Sequence, residues 1–164
     1  MRMAISKKVM LGGIVVMVMT FATMVYSHCQ IPCGIYNDHA RFDMISEHIT
    51  TIEKSMKMIT GLSKQEKANM NQIVRWVQNK EKHADEISHI VTHYFMAQRI
   101  KPSPKTEGKE YDEYVKKLTL LHKMLIYSMK AKQAPYLANV EKLKSLLAEF
   151  HLVYFGEVEH GRLK

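Results

Sequence analysis

Apolar residues recur every three or four positions in four stretches of the chain, and no stretch shows the strict alternation of apolar and polar residues that is typical of a strand. The first stretch places six apolar side chains on one face of a helix: Phe42, Ile45, Ile49, Ile52, Met56 and Ile59. We expect this helix to end at Gly61, because glycine commonly follows the last helical turn.

The second stretch follows a helix-start signal. Ser63 and Glu66 have the spacing of a capping box, in which two side chains satisfy the first backbone N–H groups of a helix. The apolar positions then continue as Met70, Ile73, Val74, Val77, Ala84, Ile87, Val91 and Phe95. The sequence Lys101-Pro102-Ser103-Pro104, followed by Gly108, is expected to end this helix.

Two further stretches complete the pattern. The third has its apolar residues at Tyr111, Tyr114, Val115, Leu118, Leu121, Leu125 and Met129, and the fourth at Val140, Leu143, Leu147, Phe150 and Tyr154. Pro135 suits the first turn of the fourth helix, and Gly156 marks its expected end. Four amphipathic helices with mostly short connections predict an all-α fold, an up-down-up-down four-helix bundle over residues 37–164.

The first 27 residues differ from the rest. They carry Arg2, Lys7 and Lys8 and no acidic residue, and an apolar run extends from Val9 to about residue 24. With the small residue Ser27 at its end, this pattern predicts a signal peptide that is cleaved after residue 27, so that the mature chain is exported to the periplasm or the extracellular space. A retained membrane anchor is the alternative, since a run of about 16–17 apolar residues is at the lower limit for a span.

Charge and cysteine content exclude several classes of protein. The whole chain of 164 residues has a net charge of +8, and residues 28–164 keep 21 basic and 16 acidic residues, a net charge of +5. These charges are spread along the sequence without the basic stripe of a nucleic-acid-binding protein. Two cysteines are too few for a disulfide-dense scaffold or a four-cysteine zinc module.

Both cysteines lie directly after the predicted cleavage point, in the segment His28-Cys29-Gln30-Ile31-Pro32-Cys33-Gly34-Ile35-Tyr36. Cleavage would give His28 a free amine beside its imidazole, the Cys29 peptide nitrogen and two thiols. Nitrogen and sulfur donors at the corners of a square suit Ni(II) or Cu(II), whereas zinc prefers a tetrahedron. The alternative is an exported, non-enzymatic helical-bundle binding protein with a structural Cys29–Cys33 disulfide.

The motif His28-Cys29-x-x-Pro32-Cys33-Gly34-x-Tyr36 resembles the nickel-binding hook of nickel superoxide dismutase. The resemblance implies a homohexamer of four-helix bundles with one nickel ion per chain. It implies that superoxide is converted to oxygen and hydrogen peroxide as nickel cycles between Ni(II) and Ni(III). By position, His28 would supply an amine and an imidazole, Cys29 a backbone nitrogen and a thiolate, and Cys33 a second thiolate, while Tyr36 would guard the approach of the substrate.

The resemblance also implies residues that support the metal site from the bundle. Asp43 fits an acidic residue near the start of the first helix, with Glu47 one turn further on, and Tyr94 matches a second tyrosine near the site. The residue that replaces the family's arginine is left unassigned, because aligning Tyr94-Phe95 with the family's Tyr-Phe pair puts Asn79 at its place and Arg75 one turn earlier. Either a signal peptidase or a dedicated maturation protease could expose His28.

A ferritin-like di-iron site is a weaker alternative. Glu86 and His89 form one Glu-x-x-His pair on the second helix, and such bundles need two. The only other match, Glu157 and His160, lies beyond the expected helix end at Gly156. The apolar stripes leave little room for the further glutamates that such a site requires.

Overall fold

Four helices account for most of the part of the chain that the structure describes. This computed structural model describes residues 37–156, so the predicted signal peptide (1–27), the predicted hook (28–36) and residues 157–164 lie outside it. The helices are α1 (Asp38–Ser63), α2 (Met70–His89), α3 (Lys109–Gln133) and α4 (Leu137–Phe155), and α2 continues directly into a π-helical segment, Ile90–Arg99.

The helices pack in a closed ring. Each helix contacts its neighbour in sequence, and α1 also contacts α4. Short connections between consecutive helices that pack together give an antiparallel bundle, so the predicted four-helix bundle is confirmed. Within residues 37–156, no helix is long and apolar enough to cross a membrane.

Helix α1 buries the stripe that its sequence predicts. All six predicted positions, from Phe42 to Ile59, are buried, and the Asn37 side chain caps the start of the helix by accepting a hydrogen bond from the Ala40 backbone N–H at 3.4 Å. The predicted end at Gly61 is wrong, because the helix continues to Ser63. The Lys64 N–H then bonds the Gly61 carbonyl at 3.3 Å, which satisfies a carbonyl in the last turn.

The predicted capping box at Ser63 and Glu66 is also wrong. Ser63 belongs to the last turn of α1, where its hydroxyl donates to the Ile59 carbonyl at 2.7 Å. Asn69 caps α2 instead, and its side-chain oxygen accepts from the Gln72 N–H at 3.1 Å. Helix α2 therefore begins with Met70, whose side chain is exposed.

The remaining boundaries fall close to their predicted places. Gly108 precedes α3 with φ of 89° and Gly156 follows α4 with φ of 83°, the left-handed region that favours glycine. The Gly156 N–H bonds the Leu152 carbonyl at 2.9 Å, which confirms the predicted end of α4. The prediction that Pro135 is in the first turn of α4 is wrong, because Tyr136 is the N-cap residue and the proline precedes it.

An aromatic cluster fills one end of the bundle, where α1 begins and α4 ends. The rings of Phe42, Phe95 and Phe150 contact one another with centroid distances of 5.0–5.3 Å, and all three side chains are buried. Aromatic side chains bury large apolar areas, so this cluster anchors the start of α1 against the π-helical segment and α4.

Candidate metal centre and its supporting residues

The carboxylate of Asp38, in the first turn of α1, accepts hydrogen bonds from three side chains. The Tyr94 hydroxyl donates to Oδ1, while Arg99 Nη2 and the Tyr154 hydroxyl reach Oδ2 at 2.5 Å and 2.8 Å. Arg99 Nε also donates to the Tyr154 oxygen at 3.3 Å. We call Asp38, Tyr94, Arg99 and Tyr154 the Asp38 cluster. It ties the start of α1 to the π-helical segment and to the last turn of α4.

The π-helical segment explains how two of these donors reach one carboxylate. A π-helix joins residues five apart, as shown by the hydrogen bond of 2.9 Å from the Ile100 N–H to the Phe95 carbonyl. Tyr94 and Arg99 are five residues apart and so lie one turn from each other on the same side. In an α-helix, with 3.6 residues per turn, residues five apart point in different directions.

Cations also flank the Tyr94 ring. The guanidinium carbons of Arg41 and Arg99 lie 5.1 Å and 5.9 Å from its centroid, within the range of a cation–π interaction. Tyr94 itself is buried. The ring therefore contacts one arginine from α1 and one from its own segment, which adds to the stabilisation of this end of the bundle.

Burial and hydrogen bonding together set the electrostatics of the Asp38 cluster. Burial by itself would raise the pKa of the Asp38 carboxyl, but the bonds from Arg99, Tyr94 and Tyr154 outweigh it and hold that pKa below its ordinary value. Burial and the neighbouring carboxylate raise the pKa of Tyr94. At neutral pH the cluster therefore contains one carboxylate, one guanidinium and two neutral phenols, with opposite charges in contact.

The structure places only two of the predicted site residues. His28, Cys29, Cys33 and Tyr36 lie outside the described residues. Asp43 is exposed on α1 and is not part of the Asp38 cluster, whereas Tyr94 is at its centre. The acidic residue that binds Tyr94 is thus Asp38, and a supporting role for Asp43 stays a prediction.

Sequence reasoning missed Asp38, Arg99 and Tyr154. Their contacts join residues 61 and 116 positions apart, and no local pattern marks such pairs. Asn79, at the place of the family's arginine, donates to the Ser55 hydroxyl at 3.0 Å and so joins α2 to α1. The only local signal was an acidic residue in the first turn of a helix, which ordinarily indicates nothing more than a favourable interaction with the helix dipole.

The comparison with protein families decides the identity. The family model described as nickel-containing superoxide dismutase matches residues 23–157, which include the motif at 28–36 and all four helices. The chain belongs to the nickel-containing superoxide dismutase family. Comparison with curated proteins and with solved structures gave no match.

Membership of this family makes the chain a nickel-dependent superoxide dismutase, with nickel as its cofactor and superoxide as its substrate. The bound nickel supplies the one-electron redox chemistry that converts superoxide to oxygen and hydrogen peroxide. Within residues 37–156, His, Cys, Asp and Glu side chains form no group of three or more that could hold a metal ion.

The donors in the motif fit nickel chemically. Both cysteines of the chain are at positions 29 and 33, next to His28. Thiolates and imidazole are donors that suit nickel, and a thiolate needs the thiol deprotonated, which a bound cation favours. The dismutase therefore carries suitable sulfur and nitrogen donors within six consecutive residues.

Proposed function

We propose that the dismutase binds its nickel ion through the amine and imidazole of His28, the backbone nitrogen and thiolate of Cys29, and the thiolate of Cys33. The observation that carries this proposal is the position of the motif: its first residue directly follows the predicted cleavage site at Ser27. In this arrangement, cleavage itself creates one of the donors, because the His28 nitrogen is an amide before cleavage and an amine after it.

Tyr36 is proposed to guard the approach of superoxide to this centre. Tyr36 stands three residues after Cys33 and two before Asp38 in the sequence. The Asp38 cluster fixes the first turn of α1, the helix to which the motif is joined. A net charge of +5 on residues 28–164 is favourable for a small anionic substrate, since a positive field raises the local concentration of anions.

Maturation and assembly complete the proposal. Residues 1–27 are removed by a signal peptidase or a maturation protease, and the mature chain is exported and free of the membrane. The mature chains assemble as a homohexamer, as the family resemblance implies. N-terminal sequencing of the purified protein tests the cleavage, and native mass spectrometry tests the assembly.

The decisive experiment adds one alanine before His28 in the mature chain. The added residue turns the His28 amine into an amide, which is a far weaker donor, and leaves every side chain in place. We expect the extended protein to lose its dismutase activity and the Ni(III) signal in electron paramagnetic resonance while it keeps its helical circular dichroism spectrum. A matched control adds the alanine after Lys164, and we expect it to keep both signals.

Metal analysis and intact mass of the same sample identify the state of the thiols. One nickel per chain with two free thiols supports the proposed ligands. Full activity in the N-terminally extended protein would show that the amine is not a ligand. A mass lower by two hydrogens in a nickel-free native protein would show the Cys29–Cys33 disulfide instead.

A further inference from the structure

Two histidines face each other between α1 and α2, apart from the Asp38 cluster. His48 Nδ1 lies 2.8 Å from His83 Nδ1, a hydrogen-bonding distance. The ring centroids are 5.0 Å apart and the ring planes are inclined by 56°. Both side chains are partly buried. The pair is the direct polar link between these helices at this level of the bundle.

The geometry of the pair favours a shared proton over a shared metal ion. The distance between the ring centroids, 5.0 Å, exceeds the Nδ1–Nδ1 distance, 2.8 Å, by about the width of one imidazole ring. Each ring therefore points its Nδ1 at the other, close to the line that joins the two centroids. A metal ion held by both nitrogens would need about 2.0–2.1 Å to each of them. No such ion fits on a line of 2.8 Å, and the structure provides no third ligand among its described residues.

The surroundings of His48 select its tautomer. Its Nε2 is buried and has no hydrogen-bond partner. A buried N–H without an acceptor is unfavourable, so Nε2 is the unprotonated nitrogen and the proton is on Nδ1. His48 therefore donates to His83, which accepts on Nδ1 and carries its own proton on Nε2.

A further proton has no favourable place in this pair. On His48 Nε2 it would be a buried N–H with no acceptor. On His83 Nδ1 it would set two N–H groups against each other, unless the His48 proton moved to Nε2, which is buried and has no acceptor. The titratable groups that act on His48 are His83 and Glu86 from α2 and Glu47 from α1. The two glutamates favour the proton, while burial and His83 oppose it, and α3 and α4 add no described charged group to this set.

We propose that the His48–His83 pair is an acid-sensitive contact between α1 and α2, which is most favourable when both rings are neutral and is weakened when His48 gains a second proton. This proposal is independent of the nickel ligands, because both residues belong to the bundle. Weakening the contact loosens the packing of α1 on α2.

The direction of the pH effect follows from the pair itself. The pKa of His48 is below its ordinary 6.5, with burial as the largest cause and His83 as the second. The unfolded state therefore binds more protons than the folded state below about pH 6.5, and stability is lost as the pH falls from there to the folded-state pKa. One linked proton corresponds to about a tenfold change in the unfolding equilibrium constant per pH unit in that window.

The test compares the mature nickel-loaded protein with His48→Gln and His83→Gln by urea unfolding between pH 5 and 8. We expect the wild type to lose more stability than either variant below pH 6.5. The difference should amount to at most a tenfold change in the unfolding equilibrium constant per pH unit. His122→Gln, at an exposed position on α3, is the matched control and should follow the wild-type pH dependence. Two variants are used so that one poorly folded protein does not decide the outcome.

Nuclear magnetic resonance of histidine-labelled protein supplies the second readout. We expect His48 to carry its proton on Nδ1 and to titrate below 6.5. A pKa at or above 6.5 for His48, the Nε2–H tautomer, or parallel pH dependences for wild type and both variants would each overturn the proposal. Binding of added Zn²⁺ that disappears in His48→Gln would overturn it as well, because the pair would then be a metal site.

Discussion

Replacing Asp38 with asparagine tests whether the charge of this carboxylate stabilises the bundle. Asparagine keeps the shape and one acceptor oxygen, but it loses the ion pair with Arg99 and the charged acceptor of both tyrosines. The Asp38 side chain is 16% exposed and that of Arg99 is 39% exposed, so solvent screens the ion pair and it contributes about 1 kcal/mol. Weaker bonds from Tyr94 and Tyr154 cost about 0.5 kcal/mol each.

The expected loss is therefore about 2 kcal/mol. With about 2.1 cal/mol/K of unfolding entropy per residue, a mature chain of 137 residues unfolds with about 0.29 kcal/mol/K, which converts this loss to a Tm lower by about 7 °C. Thermal unfolding followed by circular dichroism measures it, at one fixed protein concentration because oligomerisation makes Tm depend on concentration.

The pH dependence of the stability difference between wild type and Asp38→Asn shows whether the Asp38 carboxylate is its source. Because the folded-state pKa of Asp38 is below the ordinary 3.8, the charged group stabilises the fold at any pH above about 3.8, and this contribution is lost as the pH falls through the folded-state pKa. The difference between wild type and Asp38→Asn should thus be constant near neutral pH and shrink below pH 3.8.

Asp43→Asn is the matched control, because Asp43 is on the same helix and exposed. An exposed substitution of this kind changes stability by less than about 0.5 kcal/mol. The reasoning is refuted if Asp38→Asn changes Tm no more than Asp43→Asn, or if its effect is unchanged well below pH 3.8. Equal and large effects at both positions would show that the carboxylates act through the net charge of α1.

Three further substitutions test the core, a helix cap and a surface ion pair. Phe150→Ala should cost about 3–5 kcal/mol in urea unfolding, because Phe150 is fully buried in the aromatic cluster; a cost below 1 kcal/mol would contradict that packing. Asn69→Ala should cost about 1 kcal/mol, since it removes the cap of α2, whereas Ser63→Ala should be nearly neutral. A larger loss of stability in Ser63→Ala than in Asn69→Ala would show that Ser63 caps α2 after all. Glu53→Gln should cost at most about 1 kcal/mol. The pKa of Glu53 is lowered to about 2, chiefly by its hydrogen bond with Lys144. The stability difference between wild type and Glu53→Gln should therefore disappear as the pH falls from about 4.5 towards 2, and it should shrink in high salt.

The parts of the fold that the sequence predicts correctly are those set by local periodicity. The six buried positions of α1 follow the 3.6-residue repeat, so a single pass along the sequence identifies the face that packs on the core. The start of α2 was mispredicted because two signals competed. A capping box at Ser63 requires α1 to end at Gly61, but the helix tolerates this glycine and continues, and Asn69 becomes the cap.

The π-helical segment could not be predicted from the helical repeat. Ile87, Val91 and Phe95 are spaced by four and are all buried, a spacing that an α-helix with 3.6 residues per turn and a wider helix both allow. The segment packs against α3 and, through the Phe95 ring, against Phe42 of α1 and Phe150 of α4, and the helical repeat within the segment does not show these distant contacts. Arg99 therefore has no expected direction in the sequence, although it binds Asp38 in the structure.

The nickel-binding motif and the Asp38 cluster differ in how far apart their residues lie in the sequence. All proposed nickel donors lie within six consecutive residues, so the identities and spacing of those residues suffice to show the resemblance to the family, which in turn implies nickel. The Asp38 cluster combines side chains from three elements, and its donors converge only because the π-helical segment places Tyr94 and Arg99 on one side. The expectation of Asp43 follows from the family resemblance and from its place near the start of α1, and it stays a prediction. Asp38 binds Tyr94, Arg99 and Tyr154 because it is the carboxylate that the other two elements reach. The Asp38 cluster at the start of α1 is thus set by tertiary packing, and only the three-dimensional structure identifies its members.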